Sequence, residues 1–405
     1  MYEFKTTYME SLIERSHQRL KNTPTHFIRG LMDEINWDAR LIGIKGARGV
    51  GKTTLLLQYI KCRLKPNLPA LFVSLDNIYF AEHKLYHLAD AFVKRGGKVL
   101  LLDEVHKYPN WSQEIKNVYD DFAELKVVFT GSSLLEILNA KADLSRRAVI
   151  YEMQGFSFRE YLNKNAGSTF NKVTLKQILE SHTELSNQFT SQLKVFEHFD
   201  TYLQLGYYPF YDEVTQNYYQ QINEIVSLVL EIELPLLRGV DVTFVPKVKQ
   251  LLQIIAESVP FVPNITKLSE RIGITRNSLL IYLHALNESN LTMNLHKSAF
   301  GISKLQKPDK VYLENTNLMY ALSHYAVNKG HLRETFFANQ LKQSHQMQYA
   351  PKGDFIIDSA FTFEIGGKDK DNKQIKDLPD AFIAADDIEF GFGNKIPLWL
   401  FGFLY

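Results

Sequence analysis

Eight consecutive residues constrain this chain more than any other stretch: Gly46-Ala47-Arg48-Gly49-Val50-Gly51-Lys52-Thr53. They spell G-x-x-x-x-G-K-[ST], the loop that cradles phosphates between a strand and a helix. The spelling follows from the chemistry. Gly46, Gly49 and Gly51 let the backbone turn tightly, so that its N–H groups point at phosphate oxygens. The N-terminus of the helix that follows adds partial positive charge at the same place. Lys52 is expected on the β- and γ-phosphates and the Thr53 hydroxyl on magnesium. The nucleotide-binding run is read as Gly46, Ala47, Arg48, Gly49, Val50, Gly51, Lys52, Thr53 and Thr54. Its context agrees: Leu41-Ile42-Gly43-Ile44 reads as the preceding strand and Thr53 to Ile60 as the following helix.

A second apolar run, Val99-Leu100-Leu101-Leu102, ends in Asp103-Glu104. Such a strand delivers its acids to a C-terminal tip, where ligands sit in open α/β sheets. Asp103 is expected to hold the magnesium shell, and Glu104 to orient or deprotonate the attacking water. Val127-Val128-Phe129-Thr130-Gly131-Ser132-Ser133 ends a further strand in hydroxyls. These either sense the γ-phosphate or make a strand-to-helix turn with Ser133 as N-cap. Arg146 and Arg147 follow, one of them a candidate to stabilise transition-state charge, often across subunits; a surface arginine is the plain alternative. With Leu71-Phe72-Val73-Ser74-Leu75, the apolar runs to about Ile150 alternate with amphipathic stretches, the pattern of a parallel sheet covered on both faces. The fold class is therefore α/β.

Composition narrows the partners. Lys and Arg number 46 against 45 Asp and Glu, a net charge of +1 over 405 residues, so a chain-wide field for nucleic acid is absent. The single cysteine, Cys62, excludes an internal disulfide, fits a reducing cytoplasm, and reads as a structural thiol on a helix. The N-terminus lacks the apolar run of a signal peptide, and no stretch approaches the ~20 apolar residues of a membrane helix. The run Ile396 to Tyr405 is apolar but short and reads as a buried closing strand.

Four stretches together carry a resemblance. They are Gly46 to Thr54; Leu102-Asp103-Glu104-Val105-His106-Lys107-Tyr108-Pro109-Asn110-Trp111; Phe129 to Ser133; and Phe156-Ser157-Phe158-Arg159-Glu160-Tyr161-Leu162. The sequence resembles the prokaryotic AAA-like ATPases that carry a C-terminal domain of unknown function. The resemblance implies a P-loop ATPase followed by a winged helix and a restriction-endonuclease-like domain; with the helical periodicity after Ile150, the chain reads as an ATPase core with an N-terminal helical arm over 1–150, a helical lid over 151–244, a winged-helix module over 245–315 and an endonuclease-like domain over 316–405. It also implies ATP rather than GTP as ligand, with Mg2+ as cofactor, and a sensor at Ser132 or Ser133. The family often has Gly-Arg where this chain has Arg146-Arg147, and Arg147 aligns with the family arginine.

Beyond the core, Pro246–Ser258, Ile265–Ile272 and a helix capped by Thr275 fit a helix-turn-helix with Gly273 at the turn. The last helix offers Arg276, Asn277, Tyr282 and His284, with Glu288 opposing, a thin basic face for reading DNA. DNA binding and protein docking both stay open. Further on, Glu334 lies on a probable helix and Asp354 and Glu364 on neighbouring strands. An acid on a helix with two on strands is how endonuclease-like folds build a magnesium site. The resemblance places these three on the family's acidic positions and expects a lysine two residues after the last. Gly366 stands there, and the lysine comes at Lys368. The reading is an ATP-switched protein-interaction module with a degenerate nuclease-like domain; the alternative is an ATP-driven DNA-processing enzyme. A homo-oligomer, DNA and an unidentified protein are the open partners beside ATP.

Overall fold

The computed structural model describes residues 2–132, 144–239, 241–258, 262–297 and 306–405. The chain divides into two compact units, Met1–Gln154 and Gly155–Tyr405. Ser133 lies outside the described residues.

In the first unit the apolar runs become β1 (Leu41–Lys45), β2 (Ala70–Ser74), β3 (Val99–Asp103), β4 (Lys126–Gly131) and β5 (Val149–Glu152). They lie in the order β2-β3-β4-β1-β5, every neighbour parallel. Leu100, Leu101, Val127 and Val128 are wholly buried, as strands sandwiched between helices must be. The covering helices include Lys52–Cys62, Leu85–Lys94 and Trp111–Asp121. Strand β5 is not among the sequence expectations; at the sheet edge Val149 is exposed and the other three residues are only partly buried, so the apolar signal there is weak. At the opposite edge, β2 would present unpaired backbone groups to solvent. The helix Tyr2–Asn22 covers it: Ser16 Oγ accepts from Phe72 N–H at 3.2 Å, and the Arg19 guanidinium lies 5.5 Å from the Phe72 ring centroid. Cys62 is a correction to the sequence reading. It ends its helix exposed, because the buried face of that helix stops at Tyr59.

The second unit opens with helices Phe158–Asn165, Leu175–Thr190, Val195–Leu205 and Tyr218–Leu228. Helices Val245–Glu257, Ile265–Ile272 and Arg276–Glu288 follow. The antiparallel pair β6 (Thr292–Leu295) and β7 (Lys310–Leu313) follows them. Gly273 takes φ 71° at the expected turn, and Thr275 Oγ1 accepts from Ser278 N–H at 3.1 Å. After helices Thr316–Leu322 and Lys329–Leu341 come β8 (Met347–Tyr349), β9 (Phe355–Ile357), β10 (Phe361–Gly366), β11 (Ala381–Ala385) and β12 (Lys395–Pro397). This sheet runs β12-β11-β10-β9-β8; β8, β9 and β10 pair antiparallel and β10, β11 and β12 parallel.

From Gly155 onward, the three segments expected over 151–405 lie in this one unit. One cause is Asn317, which is wholly buried. Its Oδ1 accepts from Tyr207 N–H at 2.8 Å and from Tyr218 O–H at 2.5 Å, and its Nδ2 donates to the Leu203 carbonyl at 2.9 Å. A single amide thus joins the expected lid to the start of the expected terminal domain. The closing apolar run departs from expectation. Only Lys395–Pro397 is strand; Leu398–Phe403 is a buried 3-10 helix. Pro397 has no N–H for the ladder, and Gly402 passes so close that a Cβ there would lie 2.5 Å from Phe158 Cβ.

Candidate functional site: a phosphate loop above two strand tips

The loop leaves β1 at Lys45 and enters the helix at Lys52. Gly49 and Gly51 take φ 81° and 98°, values that any Cβ makes costly. At Gly46 the limit is space: a Cβ would lie 2.3 Å from the Met153 carbonyl oxygen. Lys52 Nζ curls over the loop and donates to the carbonyls of Gly46 at 3.0 Å and Ala47 at 2.8 Å. The buried Arg29 clamps the loop from beneath, donating to the Val50 carbonyl at 2.9 Å and the Gln154 carbonyl at 2.8 Å. Sequence reasoning did not find Arg29, since its two partners lie 21 and 125 residues away.

Strand register brings the acids to the loop. Ser74 pairs with Asp103 and Leu102 with Phe129, so the ends of β2, β3 and β4 lie side by side. Thr53 Oγ1 donates to Asp103 Oδ2 at 2.7 Å. Thr130 Oγ1 donates to Asp103 Oδ1 and accepts from Glu104 N–H at 3.3 Å. Thr130 therefore ties the two acids together at a wholly buried position. Asp103 is only 2% exposed, and burial pushes its carboxyl above the usual range against the pull of both hydroxyls. The donors here are hard oxygens, one hydroxyl and one carboxylate, which suit Mg2+ completed by phosphate oxygens and water. Among the described residues no group of three or more His, Cys, Asp or Glu is placed to hold a metal, and a magnesium held jointly with a nucleotide does not need one.

Glu104 adopts φ 55° and ψ 40°, a left-handed conformation that costs about 1 kcal/mol for a non-glycine residue. The kink turns its carboxylate away from the alternation of β3. Around Oε2 stand Arg48 Nη1 at 3.6 Å, His106 Nε2 at 3.6 Å and Lys107 Nζ at 3.9 Å. Ser132 sits at the end of β4, 4% exposed; its N–H donates to His106 Nδ1 at 3.3 Å. Its hydroxyl has no hydrogen-bond partner among the described residues. Burial, then the charge of Lys52, pushes the His106 ring down to about 3, so the imidazole is neutral.

Arg147 makes a forked pair with Asp120 of helix Trp111–Asp121, Nε to Oδ1 at 2.9 Å and Nη2 to Oδ2 at 3.1 Å.

In the second unit two of the three expected acids, Glu334 and Asp354, meet at a cation the sequence did not single out. Lys310 Nζ, on β7, lies 2.7 Å from Glu334 Oε2 and 3.4 Å from Asp354 Oδ1. Tyr312 O–H donates to the same Glu334 oxygen at 2.6 Å, and Ile365 N–H to Asp354 Oδ2 at 2.8 Å. Burial, then the Glu334 charge, raises the Asp354 carboxyl; burial likewise raises Glu364. The lysine facing Glu364 is Lys370, not Lys368. Lys370 N–H donates to the Gly367 carbonyl at 3.0 Å. That turn folds the lysine stem back over Gly366, where a Cβ would lie 2.6 Å from Lys370 Cβ. Glycine at the expected lysine position thus makes room for Lys370.

The helix Arg276–Glu288 is also corrected. Tyr282 is buried, and His284 Nε2 lies 3.3 Å from its neighbour Glu288. Only Arg276 and Asn277 of the expected reading face are exposed.

Residues 38–162 match the family model described as "AAA domain". No curated protein matches the chain. Among solved structures, the Aeropyrum pernix ORC1 protein in complex with DNA is 15% identical over 70% of this chain and 86% of that one, with a TM-score of 0.31. AMPPCP-bound DnaA from Aquifex aeolicus is 14% identical over 68% of this chain and 86% of that one, with a TM-score of 0.24. Scores this low say nothing of a shared arrangement. The phosphate loop and the five parallel strands give the first unit an α/β P-loop fold, and the matched segment spans its core.

Proposed function

We propose that the chain binds ATP with Mg2+ and hydrolyses it, and that its second half docks a protein rather than cutting DNA. The observation that carries the first part is the 2.7 Å contact between the Thr53 hydroxyl and the Asp103 carboxylate, directly below the phosphate loop. Two oxygens meant for one cation's shell, with a second acid on the next residue, are the parts hydrolysis needs. When bound, Mg2+ supplies charge neutralisation at the phosphates. The loop N–H groups and the helix terminus hold the phosphate oxygens, and Lys52 leaves the loop carbonyls for the β- and γ-phosphates. Glu104 accepts the proton of the attacking water. The Ser132 hydroxyl, without a hydrogen-bond partner among the described residues, is the candidate sensor of the γ-phosphate.

The second part rests on Lys310. Its ammonium stands between Glu334 and Asp354, where a nuclease would place a metal. A cation tethered to β7 neutralises the acids but offers no open coordination position for a phosphodiester. The helix that would read DNA buries Tyr282 and pairs His284 internally, which leaves little for base contact. One assay tests both parts: ATP turnover in Mg2+ with and without duplex DNA, with plasmid integrity followed in Mg2+ and in Mn2+. Steady ATP turnover, indifferent to DNA, with intact plasmid is expected. Metal-dependent cutting that disappears in Asp354→Ala proves the docking reading wrong, and the absence of any ATP turnover removes the first part.

Arg147 is proposed as the residue that completes a neighbouring subunit's site, on its alignment with the family arginine. The role requires release of the fork on Asp120. Arg147→Ala is expected to slow turnover at high protein concentration while sparing ATP affinity. Wild-type turnover under those conditions leaves the residue a local ion pair, worth at most about 1 kcal/mol at a partly exposed position.

A further inference from the structure

Glu104 departs from strand geometry at φ 55°, so β3 alone does not aim its carboxylate. Oε2 is buried and has no hydrogen-bond partner among the described residues. Three groups surround it from two elements. Arg48 comes from the phosphate loop, and Lys107 and His106 come from the 3-10 turn Val105–Lys107. Lys107 is shared: its ammonium also reaches Asp76 Oδ2 at 3.5 Å, beyond the end of β2. Arg48 belongs to the loop that receives the phosphates. His106 differs from both in being buried and held from behind. At 5% exposure its Nδ1 accepts from the N–H of Ser132, at the end of β4.

That contact fixes the tautomer. A ring nitrogen that accepts a hydrogen bond carries no proton, so the proton of the neutral imidazole lies on Nε2, the nitrogen that faces Glu104 Oε2 at 3.6 Å. The turn carrying the ring is itself anchored. Val105 is wholly buried, Lys107 N–H donates to the Glu104 carbonyl at 3.0 Å, and Tyr108 N–H donates to the Val105 carbonyl at 3.0 Å. Ser132, the ring and Glu104 thus form one line from the tip of β4 to the tip of β3.

We propose that His106 is a positioning residue for hydrolysis: it points one N–H at Glu104 and couples the place of that carboxylate to the place of Ser132. This rests on the reading of Glu104 as the group that accepts the proton from water. A neutral N–H donor holds the carboxylate in place without adding a charge beside it. When Ser132 moves to meet a phosphate, the ring moves with it, and Glu104 closes towards hydrogen-bond distance of Nε2.

Three substitutions separate this role from simple anchoring of the turn. His106→Gln carries an amide N–H at the Nε2 position; His106→Asn carries its amide at the Nδ1 position; His106→Ala carries neither. Each is measured for single-turnover ATP hydrolysis and for affinity towards a non-hydrolysable ATP analogue, with Glu104→Gln alongside. His106→Ala is expected to lower the rate constant about 10–100-fold, the scale of a small misplacement of a catalytic group, with analogue affinity unchanged. His106→Gln is expected to recover most of that loss and His106→Asn little of it. Recovery by His106→Asn instead means that the ring only anchors Ser132, and the proposal fails. A wild-type rate in His106→Ala, or a matching loss of affinity, also overturns it. Should Glu104→Gln itself hydrolyse at the wild-type rate, the premise is wrong. Slow Glu104→Gln beside fast His106→Ala rejects the positioning role alone.

Discussion

Lys52→Ala is expected to lose tight ATP binding. The ammonium lies over the loop, 3.0 and 2.8 Å from the Gly46 and Ala47 carbonyls, at 6% exposure. It is a buried cation held at the place where phosphate oxygens are to arrive. Truncating one member of such a charge-assisted pair costs about 2–5 kcal/mol, and each 1.4 kcal/mol is about tenfold in affinity. A loss of about 30-fold to several thousand-fold therefore follows. The fold should persist, because the loop keeps its clamp from Arg29 and its helix keeps the buried Leu55 and Leu56. Calorimetry with ATP and Mg2+ measures the change, and circular dichroism checks the fold. An affinity equal to wild type takes the nucleotide away from this loop.

Glu104→Gln is expected to bind ATP as the wild type does and to stop turning it over. An amide has nearly the shape of the carboxylate and can keep its place beside His106, but it accepts no proton from water. General-base catalysis contributes about 10²–10⁴ in rate, so single-turnover hydrolysis should fall by that factor. The contrast with Lys52→Ala is diagnostic: one variant loses the ligand, the other traps it. Asp103 is the internal comparison. Its two oxygens already accept from Thr53 and Thr130, which leaves it poorly placed to take a proton from water. Hydrolysis by Glu104→Gln at the wild-type rate would falsify the assignment of the base.

The second unit shows how ion-pair choice escapes a reading by spacing. The resemblance expects a lysine at position 366, and the next lysine along the chain is Lys368. The turn after β10 instead folds Lys370 back over Gly366. Lys310 stands 24 residues from Glu334 and 44 from Asp354. It is on the β6–β7 hairpin, an element with no obvious link to the sheet formed by β8 to β12. Two acids packed together in a buried place need a compensating cation. The sequence supplies many lysines, and only the fold selects one.

The nucleotide loop and the acid pair were legible because each is local. Eight consecutive residues set the turn, the cradle and the helix start, and an apolar run ending in Asp103-Glu104 carries its own address at a strand tip. The parallel sheet was legible for the same reason, since a strand buried on both faces must be apolar throughout. The tertiary structure alone decided what holds those parts in place. Arg29 reaches Val50 and Gln154, Thr130 bridges Asp103 and Glu104, and His106 joins Ser132 to Glu104. Each of these is a buried polar side chain with at least one partner 21 to 125 residues away. A polar residue carries no periodicity that marks it as buried, and its partner is fixed by strand order and register rather than by neighbours in the chain. The chain's own spelling therefore determined the chemistry on offer at the phosphate loop, while packing determined which side chains aim it, because burial makes every unpaired polar group costly.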